Sequence, residues 1–141
     1  MKGSGFSITA TEQIEDLTKN CNLIVTTTPS TQPLLLSDQI QLGTHITAMG
    51  ADSKGKQELD PHIFQKADIV IADSKDQCID HGDISHAITE NLIPENKVVE
   101  LGSFLKNGSH RETDQQITVA DLTGVAIQDI QIAKIIHEYL I

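Results

Sequence analysis

The apolar residues of this chain fall into short runs separated by longer segments of mixed polarity. The short runs are rich in β-branched residues and too short for amphipathic helices, so they predict strands buried on both faces, as in a parallel sheet. These runs lie at residues 23–28, 45–49, 67–73, 97–101 and 116–121. Helix start signals stand between them, at Thr11, at Asp60 followed by Pro61, and at Ser74. The alternation predicts an α/β fold with a mostly parallel sheet.

The carboxyl-terminal segment 125–140 predicts the longest helix. Its broad apolar stripe consists of Val125, Ile132, Ile135, Ile136, Tyr139 and Leu140. Loops are predicted at 29–33, 50–57, 91–96 and 106–114. Two of them, 29–33 and 50–57, follow the carboxyl ends of strands, where open α/β sheets bind ligands. No repeat or linker divides the 141 residues, so one domain is expected.

Composition narrows the possible partners. The chain is 38% apolar and carries 10 Lys and Arg against 20 Asp and Glu, a net charge of −10. This charge disfavours nucleic acid and anionic membrane surfaces, which need clustered cations. The cysteines, Cys21 and Cys78, form no CxxC pair, and no secretory leader or membrane span is recognisable. We therefore expect a cytoplasmic protein with reduced thiols.

Two loops contain residues that could bind a ligand. Residues 50–56 match the first seven positions of the phosphate-binding pattern G-x-x-x-x-G-K, but Gln57 replaces the required Ser or Thr. Asp52 would also repel a triphosphate, so the pattern does not predict a triphosphatase, and a solvated connection is the alternative. In residues 25–35, threonines after a strand either contact a dinucleotide or are simply good strand residues.

Other patterns are weaker. The only G-x-G, at residues 3–5, has no strand before it and carries Ile8 in place of the third glycine, so it does not predict a dinucleotide turn. A cluster of residue types that can bind metal has none of the standard zinc spacings. We interpret its members as partly exposed helix residues without a metal: Cys78, His81, Asp83 and His86.

Four stretches together resemble the ornithine cyclodeaminase/mu-crystallin family, in order and spacing, across nearly the whole chain. They are IVTTTPSTQPLL, LGTHITAMGADSKGKQELDP, ADIVIADSKDQC with GDISHAI, and ITVADLTGVAIQDIQIAKIIHEYL. The resemblance implies an NAD(P)-binding Rossmann domain joined to an amino-terminal domain that dimerises and holds substrate. Family members include ornithine cyclodeaminases, imine and ketimine reductases and alanine dehydrogenases, oxidoreductases of amino-acid metabolism that move a hydride between nicotinamide and an amino- or imino-acid carbon.

The resemblance also assigns roles to residues. Asp52 matches the catalytic acidic residue beside the nicotinamide, which accepts and donates a proton, and Lys56 matches the lysine of the same loop. The turn that runs under the dinucleotide matches Thr26, Thr27 and Pro29. The turn that borders the nicotinamide pocket matches Thr123, Gly124 and Val125.

The resemblance covers only the carboxyl-terminal part of the family pattern. The first βαβ unit with its glycine-rich turn and the substrate domain have no counterpart, so we expect a single truncated Rossmann-like domain over residues 1–141. One hypothesis is a module of an NAD- or NADP-dependent enzyme, in which either a separately encoded amino-terminal half supplies the missing part or this sequence is a piece of a longer product. The expected partners are an amino- or imino-acid substrate and either that amino-terminal half or further copies in a homo-oligomer. The alternative is a non-catalytic remnant or interaction module that keeps the fold without binding dinucleotide. Binding of the cofactor by this chain alone is expected to be weak or absent.

Overall fold

This computed structural model describes Gly5 and residues 7–108 and 110–140, so the Gly3 of the amino-terminal G-x-G lies outside the described residues. The described strands are β1 (Leu23–Thr26), β2 (Thr31–Leu35), β3 (His45–Ala48), β4 (Gln57–Leu59), β5 (Ile69–Ala72), β6 (Val98–Glu100) and β7 (Thr118–Asp121). The described helices are α1 (Ile14–Asn20), α2 (Pro61–Lys66), α3 (Lys75–His81), α4 (Asp83–Thr89), α5 (Leu101–Lys106) and α6 (Ala126–Leu140).

Five strands form one parallel sheet in the order β1-β3-β7-β5-β6. These are the five strands that the apolar runs predict, and the α/β fold with a parallel sheet is confirmed. The last strand in sequence, β7, lies at the centre, paired with β3 on one side and β5 on the other. The carboxyl ends of all five strands therefore share one edge of the sheet.

The core lies on one face of this sheet. Alternate strand residues point into it and pack with apolar residues of α2 and α4; the members include Ile24, Ile46, Val70, Val119, Ile63, Phe64, Ile84 and Ala87. The prediction of burial on both faces is wrong for β1, where Leu23 and Val25 are 63% and 55% exposed. In β1 only Ile24 and Thr26, on the opposite face, are buried, and in β6 only Val98 is buried.

Two predicted loops contain strands. Residues 31–35 and 57–59, predicted within or beside loops, pair in parallel as the ribbon of β2 and β4. Pro33 can lie in β2 because this strand pairs on one side only, so its missing N–H costs no ladder hydrogen bond. Local pattern did not indicate this ribbon because its members are 22 or more residues apart.

The helix start signals were accurate at Asp60 and at Ser74, which is the N-cap of α3, and displaced at Thr11. Asp60 is the N-cap of α2 and its Oδ1 accepts a hydrogen bond from the His62 amide, with Pro61 at the first position. At α1 the N-cap is Gln13, and Thr11 instead accepts a hydrogen bond from the Gln13 amide at 3.0 Å. The short helices α4 and α5 were not predicted. Seven and six residues are too few to establish a helical period, and their N-caps, Gly82 and Glu100, are not the side chains that signal the starts of α2 and α3.

In the described part of the chain, no helix combines the length and the apolar character needed to cross a membrane.

Candidate active site at the carboxyl edge of the sheet

Three loops that carry the predicted site residues lie side by side. They follow β1, β3 and β7, which are neighbours in the sheet with Thr26 in register with Ala48 and Ala48 in register with Asp121. Residues 27–30, 49–56 and 122–125 therefore leave the same edge of the sheet next to one another. This is where open parallel sheets bind ligands.

The loop after β3, residues 50–56, carries the predicted proton-transfer group and is called here the acid loop. Asp52 is exposed, and its Oδ1 accepts a hydrogen bond from Lys56 Nζ at 2.6 Å. The hydrogen bond and the positive charge of Lys56 lower the pKa of Asp52 below its ordinary value. Asp52 is therefore an ionised carboxylate that a ligand can reach, which is what a proton acceptor requires.

Local contacts give the acid loop its shape. Gly55 has a φ of 86°, a left-handed conformation that favours glycine. The Lys56 carbonyl lies 3.0 Å from His86 Nε2 of α4. The loop then enters β4, whereas a phosphate-binding loop opens a helix, so the geometry is not that of a triphosphatase.

The turn after β1 combines exposed and buried hydroxyls. Thr27 and Pro29 are exposed, whereas Thr26 is 7% exposed. Among the described residues, the Thr26 hydroxyl has no hydrogen-bond partner. Hydroxyls and backbone groups of this kind can form hydrogen bonds with the carboxamide and ribose groups at the nicotinamide end of a dinucleotide.

The turn after β7 is held by a carboxylate that sequence reasoning missed. Asp73, directly after β5, accepts hydrogen bonds from the Thr123 amide and hydroxyl, each at 3.2 Å, and from the Gly124 amide at 2.8 Å. Thr123 is buried, Val125 is half-buried, and Gly124 is exposed with a φ of 84°. Asp73 thereby joins the turn after β7 to the neighbouring strand β5.

Three further carboxylates lie buried beneath the site. Glu58, Asp83 and Asp121 are each at most 1% exposed. Asp83 Oδ1 accepts hydrogen bonds from the Glu58 and Leu59 amides at 2.8 and 2.9 Å, and Asp121 Oδ2 accepts one from the Ile84 amide at 2.8 Å. Burial raises the pKa of Asp83 to about 6 and that of Asp121 well above its ordinary value. No local pattern marks these residues, since their partners lie 24 to 37 positions away.

The interpretation of the Cys–His–Asp group as partly exposed helix residues is wrong for Cys78 and Asp83, which are buried. Burial raises the pKa of the Cys78 thiol to about 12, and its Sγ donates to the Asp121 carbonyl at 3.3 Å. Within the ranges described, no group of three or more His, Cys, Asp or Glu side chains could hold a metal ion.

Known proteins are similar to this chain in sequence and in fold. The alanine dehydrogenase of Archaeoglobus fulgidus is 42% identical over 135 residues, which are 93% of this chain and 41% of the enzyme. The structure of the Paracoccus denitrificans iminosuccinate reductase in complex with NAD+ is 38% identical with a TM-score of 0.80, and the match covers 86% of this chain and 38% of that one. The structure of the Thermococcus litoralis Δ1-pyrroline-2-carboxylate reductase in complex with NADH and L-proline is 27% identical with a TM-score of 0.85, over 91% of this chain and 40% of that one.

The chain thus spans about two fifths of the length of each of these relatives. The sequence profile of the ornithine cyclodeaminase/mu-crystallin family matches residues 1–141. The structures solved with NAD+ and with NADH match most of the fold of this chain. The chain belongs to the ornithine cyclodeaminase/mu-crystallin family.

Proposed function

We propose that this chain forms the nicotinamide-facing part of the dinucleotide-binding domain of an NAD- or NADP-dependent oxidoreductase or cyclodeaminase that acts on an amino or imino acid. The observation that carries the proposal is the convergence of three loops at one sheet edge, with the ionised and reachable Asp52 among them. Relatives that share this part of the fold include enzymes solved with NAD+ and with NADH and L-proline, which supports the assignment.

Each site residue has a defined role in this proposal. Asp52 is the catalytic residue that takes a proton from the substrate amine or its attacking water and returns it, and Lys56 orients that carboxylate. The dinucleotide is bordered by Thr26, Thr27 and Pro29, and the nicotinamide pocket is bordered by Thr123, Gly124 and Val125. When bound, NAD(P) supplies the hydride acceptor or donor.

The pyrophosphate of the dinucleotide needs a binding turn that another part of the enzyme must supply. Among the described strand-to-helix connections, none is a G-x-G-x-x-G turn of the kind that binds a pyrophosphate at a helix N-terminus. The carbonyls of Asn22 and Thr26 accept hydrogen bonds from the amides of His45 in β3 and of Met49 directly after it. The backbone groups of Leu23 and Val25 therefore face the opposite, unpaired edge of β1. We propose that the amino-terminal part of a family member, in the same or a separate polypeptide, adds its strands to this edge. The complete enzyme would work in the cytoplasm, as a homo-oligomer or a complex of two halves, without nucleic acid or membrane.

A second candidate is a non-catalytic interaction module that keeps the fold without binding dinucleotide. The observation that favours it is the exposure of α6, in which none of the described side chains is buried. Cofactor binding and turnover distinguish the two candidates.

The first test is cofactor affinity. We expect the chain alone to bind NAD(H) and NADP(H) at least about a hundredfold more weakly than when co-expressed with the amino-terminal part of the A. fulgidus alanine dehydrogenase, because the pyrophosphate site is then restored. Calorimetry on the chain and on the purified complex measures both values. Low-micromolar binding by the chain alone would show that the pyrophosphate site is not needed.

The second test is turnover of that complex with alanine, ornithine and cyclic imino acids. Asp52→Asn should lower kcat by about 100-fold or more while cofactor affinity stays nearly unchanged, since the amide keeps the shape but accepts no proton. Asp76→Asn, at an exposed position of α3, is the matched control and should retain kcat. Parental turnover in Asp52→Asn would refute the catalytic role, and no turnover in the parent complex would favour the interaction module.

A further inference from the structure

Glu58 is a carboxylate that the proposed reaction does not use. Its residue is 0% exposed, although an ionisable side chain is rarely buried without a partner. It lies in β4, outside the five-stranded sheet, and its own amide is held by Asp83 of α4. The backbone of Glu58 is therefore held by a helix that packs in the core.

The carboxylate of Glu58 joins two site loops. Its Oε1 accepts hydrogen bonds from the Thr28 amide at 2.5 Å and the Thr28 hydroxyl at 2.8 Å. Its Oε2 accepts a hydrogen bond from the Gly50 amide at 2.8 Å. Thr28 belongs to the turn after β1 and Gly50 begins the acid loop, so one side chain binds both loops.

The two loops also touch directly at this point. A Cβ added to Gly50 would lie 2.1 Å from the Thr28 carbonyl oxygen and 2.5 Å from Glu58 Cδ. Both atoms are held in place, one by the backbone and the other by the hydrogen bonds of Glu58. The approach requires glycine at position 50, since any larger side chain would displace one of the two loops.

The protonation state of Glu58 agrees with this arrangement. Burial acts to raise its pKa, but the neighbouring Thr26 hydroxyl and the hydrogen bonds from Thr28 and Gly50 outweigh burial and hold the pKa below its ordinary value. An ionised carboxylate that accepts three N–H and O–H donors forms shorter and stronger hydrogen bonds than a neutral group.

We propose that Glu58 is a positioning residue that locks the turn after β1 to the acid loop, so that Asp52 is held at a fixed place relative to the dinucleotide turn. The inference rests on the proposed function for its catalytic consequence. The lock itself is a property of this chain and can be tested without cofactor.

The first arm of the test uses the full chain and its amide NMR spectrum. In the parent, the Thr28 and Gly50 amide protons should shift together on acidification, with one midpoint below the ordinary pKa of Glu. In Glu58→Gln this titration should vanish, and hydrogen exchange should quicken about tenfold or more at residues 50–52, while β5 and β6 keep their protection. Unchanged amide shifts and exchange in Glu58→Gln would overturn the proposal. Glu90→Gln, at an exposed residue after α4, is the matched control.

The second arm uses the co-expressed complex. Glu58→Gln should lower kcat by about 10- to 100-fold with a smaller change in KM, because one acceptor oxygen is replaced by an NH2 group that faces an N–H donor. Thr28→Val, which removes one donor and leaves Glu58 in place, should lower kcat less and add little in the Glu58→Gln background. A folded Glu58→Gln complex with parental kcat would overturn the proposal. An inactive parent complex counts against the proposed function alone, and the amide arm then decides whether the lock exists.

Discussion

At the scale of single residues, the surroundings decide what each carboxylate can do. Asp52 is exposed beside Lys56, whose hydrogen bond and charge lower the pKa of that carboxyl. Asp121 is buried, and burial raises its pKa well above the ordinary value. The same side chain therefore serves as a reachable anion in one place and as an internal hydrogen-bond acceptor in the other.

The ion pair between Asp52 and Lys56 leads to a prediction for the pKa of Asp52. Lys56→Ala removes the hydrogen bond and the positive charge, so the pKa of Asp52 should rise towards its ordinary value. A carboxyl 13C NMR titration of the full chain measures this. Lys54→Ala is the control, since Lys54 pairs with Asp80 at 2.8 Å and its loss should move the pKa of Asp80 but not that of Asp52. An unchanged Asp52 titration in Lys56→Ala would contradict the pairing.

At the scale of elements, the site depends on parts that contribute no ligand-facing group. The helix α4 begins at Asp83, whose carboxylate fixes the backbone of β4, and β4 in turn carries Glu58. Asp73, at the end of β5, fixes the turn after β7 in the same way. The loops at the sheet edge are thus held by carboxylates from neighbouring elements. Asp52 itself, paired with Lys56, stays exposed to a ligand.

The link between α4 and β4 predicts a pH dependence of stability. Burial raises the pKa of Asp83 from 3.8 to about 6, so between these values the folded chain holds a proton that the unfolded chain releases. The contribution of Asp83 to the free energy of unfolding therefore falls as pH rises from about 4 to 6, by roughly 3 kcal/mol. Asp83→Asn cannot ionise and should lack this fall.

Urea unfolding of the parent and Asp83→Asn at several pH values from 4 to 7 tests this. The stability difference between the two chains should shift in favour of the variant as pH rises, and then stay constant above pH 6 to 7. Asp76→Asn, at an exposed position, should track the parent throughout. Parallel stability curves for the parent and Asp83→Asn would show that Asp83 is not protonated in the folded chain.

At the scale of the whole molecule, α6 is the helix whose side chains are not buried by the rest of the described chain. Its large apolar side chains are all more than half exposed: Ile127, Ile130, Ile132, Ile135, Ile136, Tyr139 and Leu140. At about 25 cal/mol per Å², burial of 400 Å² would contribute on the order of 10 kcal/mol before the costs of association. Such a surface favours contact with another copy or another polypeptide.

We therefore expect the isolated chain to self-associate through α6. Ile135→Glu or Ile136→Glu should lower the average mass measured by light scattering across a concentration series, because a buried charge opposes the contact. Gln131→Glu, at an exposed polar position of the same helix, is the control for added charge. A monomer at every concentration, with no response to either substitution, would contradict the expectation.

The sequence by itself determined the local and family-level features. The β-branched runs predicted the five strands of the sheet, and Asp60 with Pro61 predicted the start of α2, because these signals depend on neighbouring residues. The GADSKGKQELD and DLTGVAIQD stretches pointed to the family that the profile match over residues 1–141 establishes. The roles of Asp52 and the residues around it remain predictions, although the structure places their loops side by side.

The tertiary structure alone decided which distant residues meet. Glu58 contacts Thr28 across 30 positions and Asp73 contacts Gly124 across 51, and no period of hydrophobicity encodes such pairs. The burial of Glu58 and Asp83 also runs against the polarity of their side chains, since it depends on backbone donors that other elements supply. The exposure of α6 was decided in the same way, because an apolar stripe specifies that a helix needs a partner and only the packing shows whether the described chain contains it.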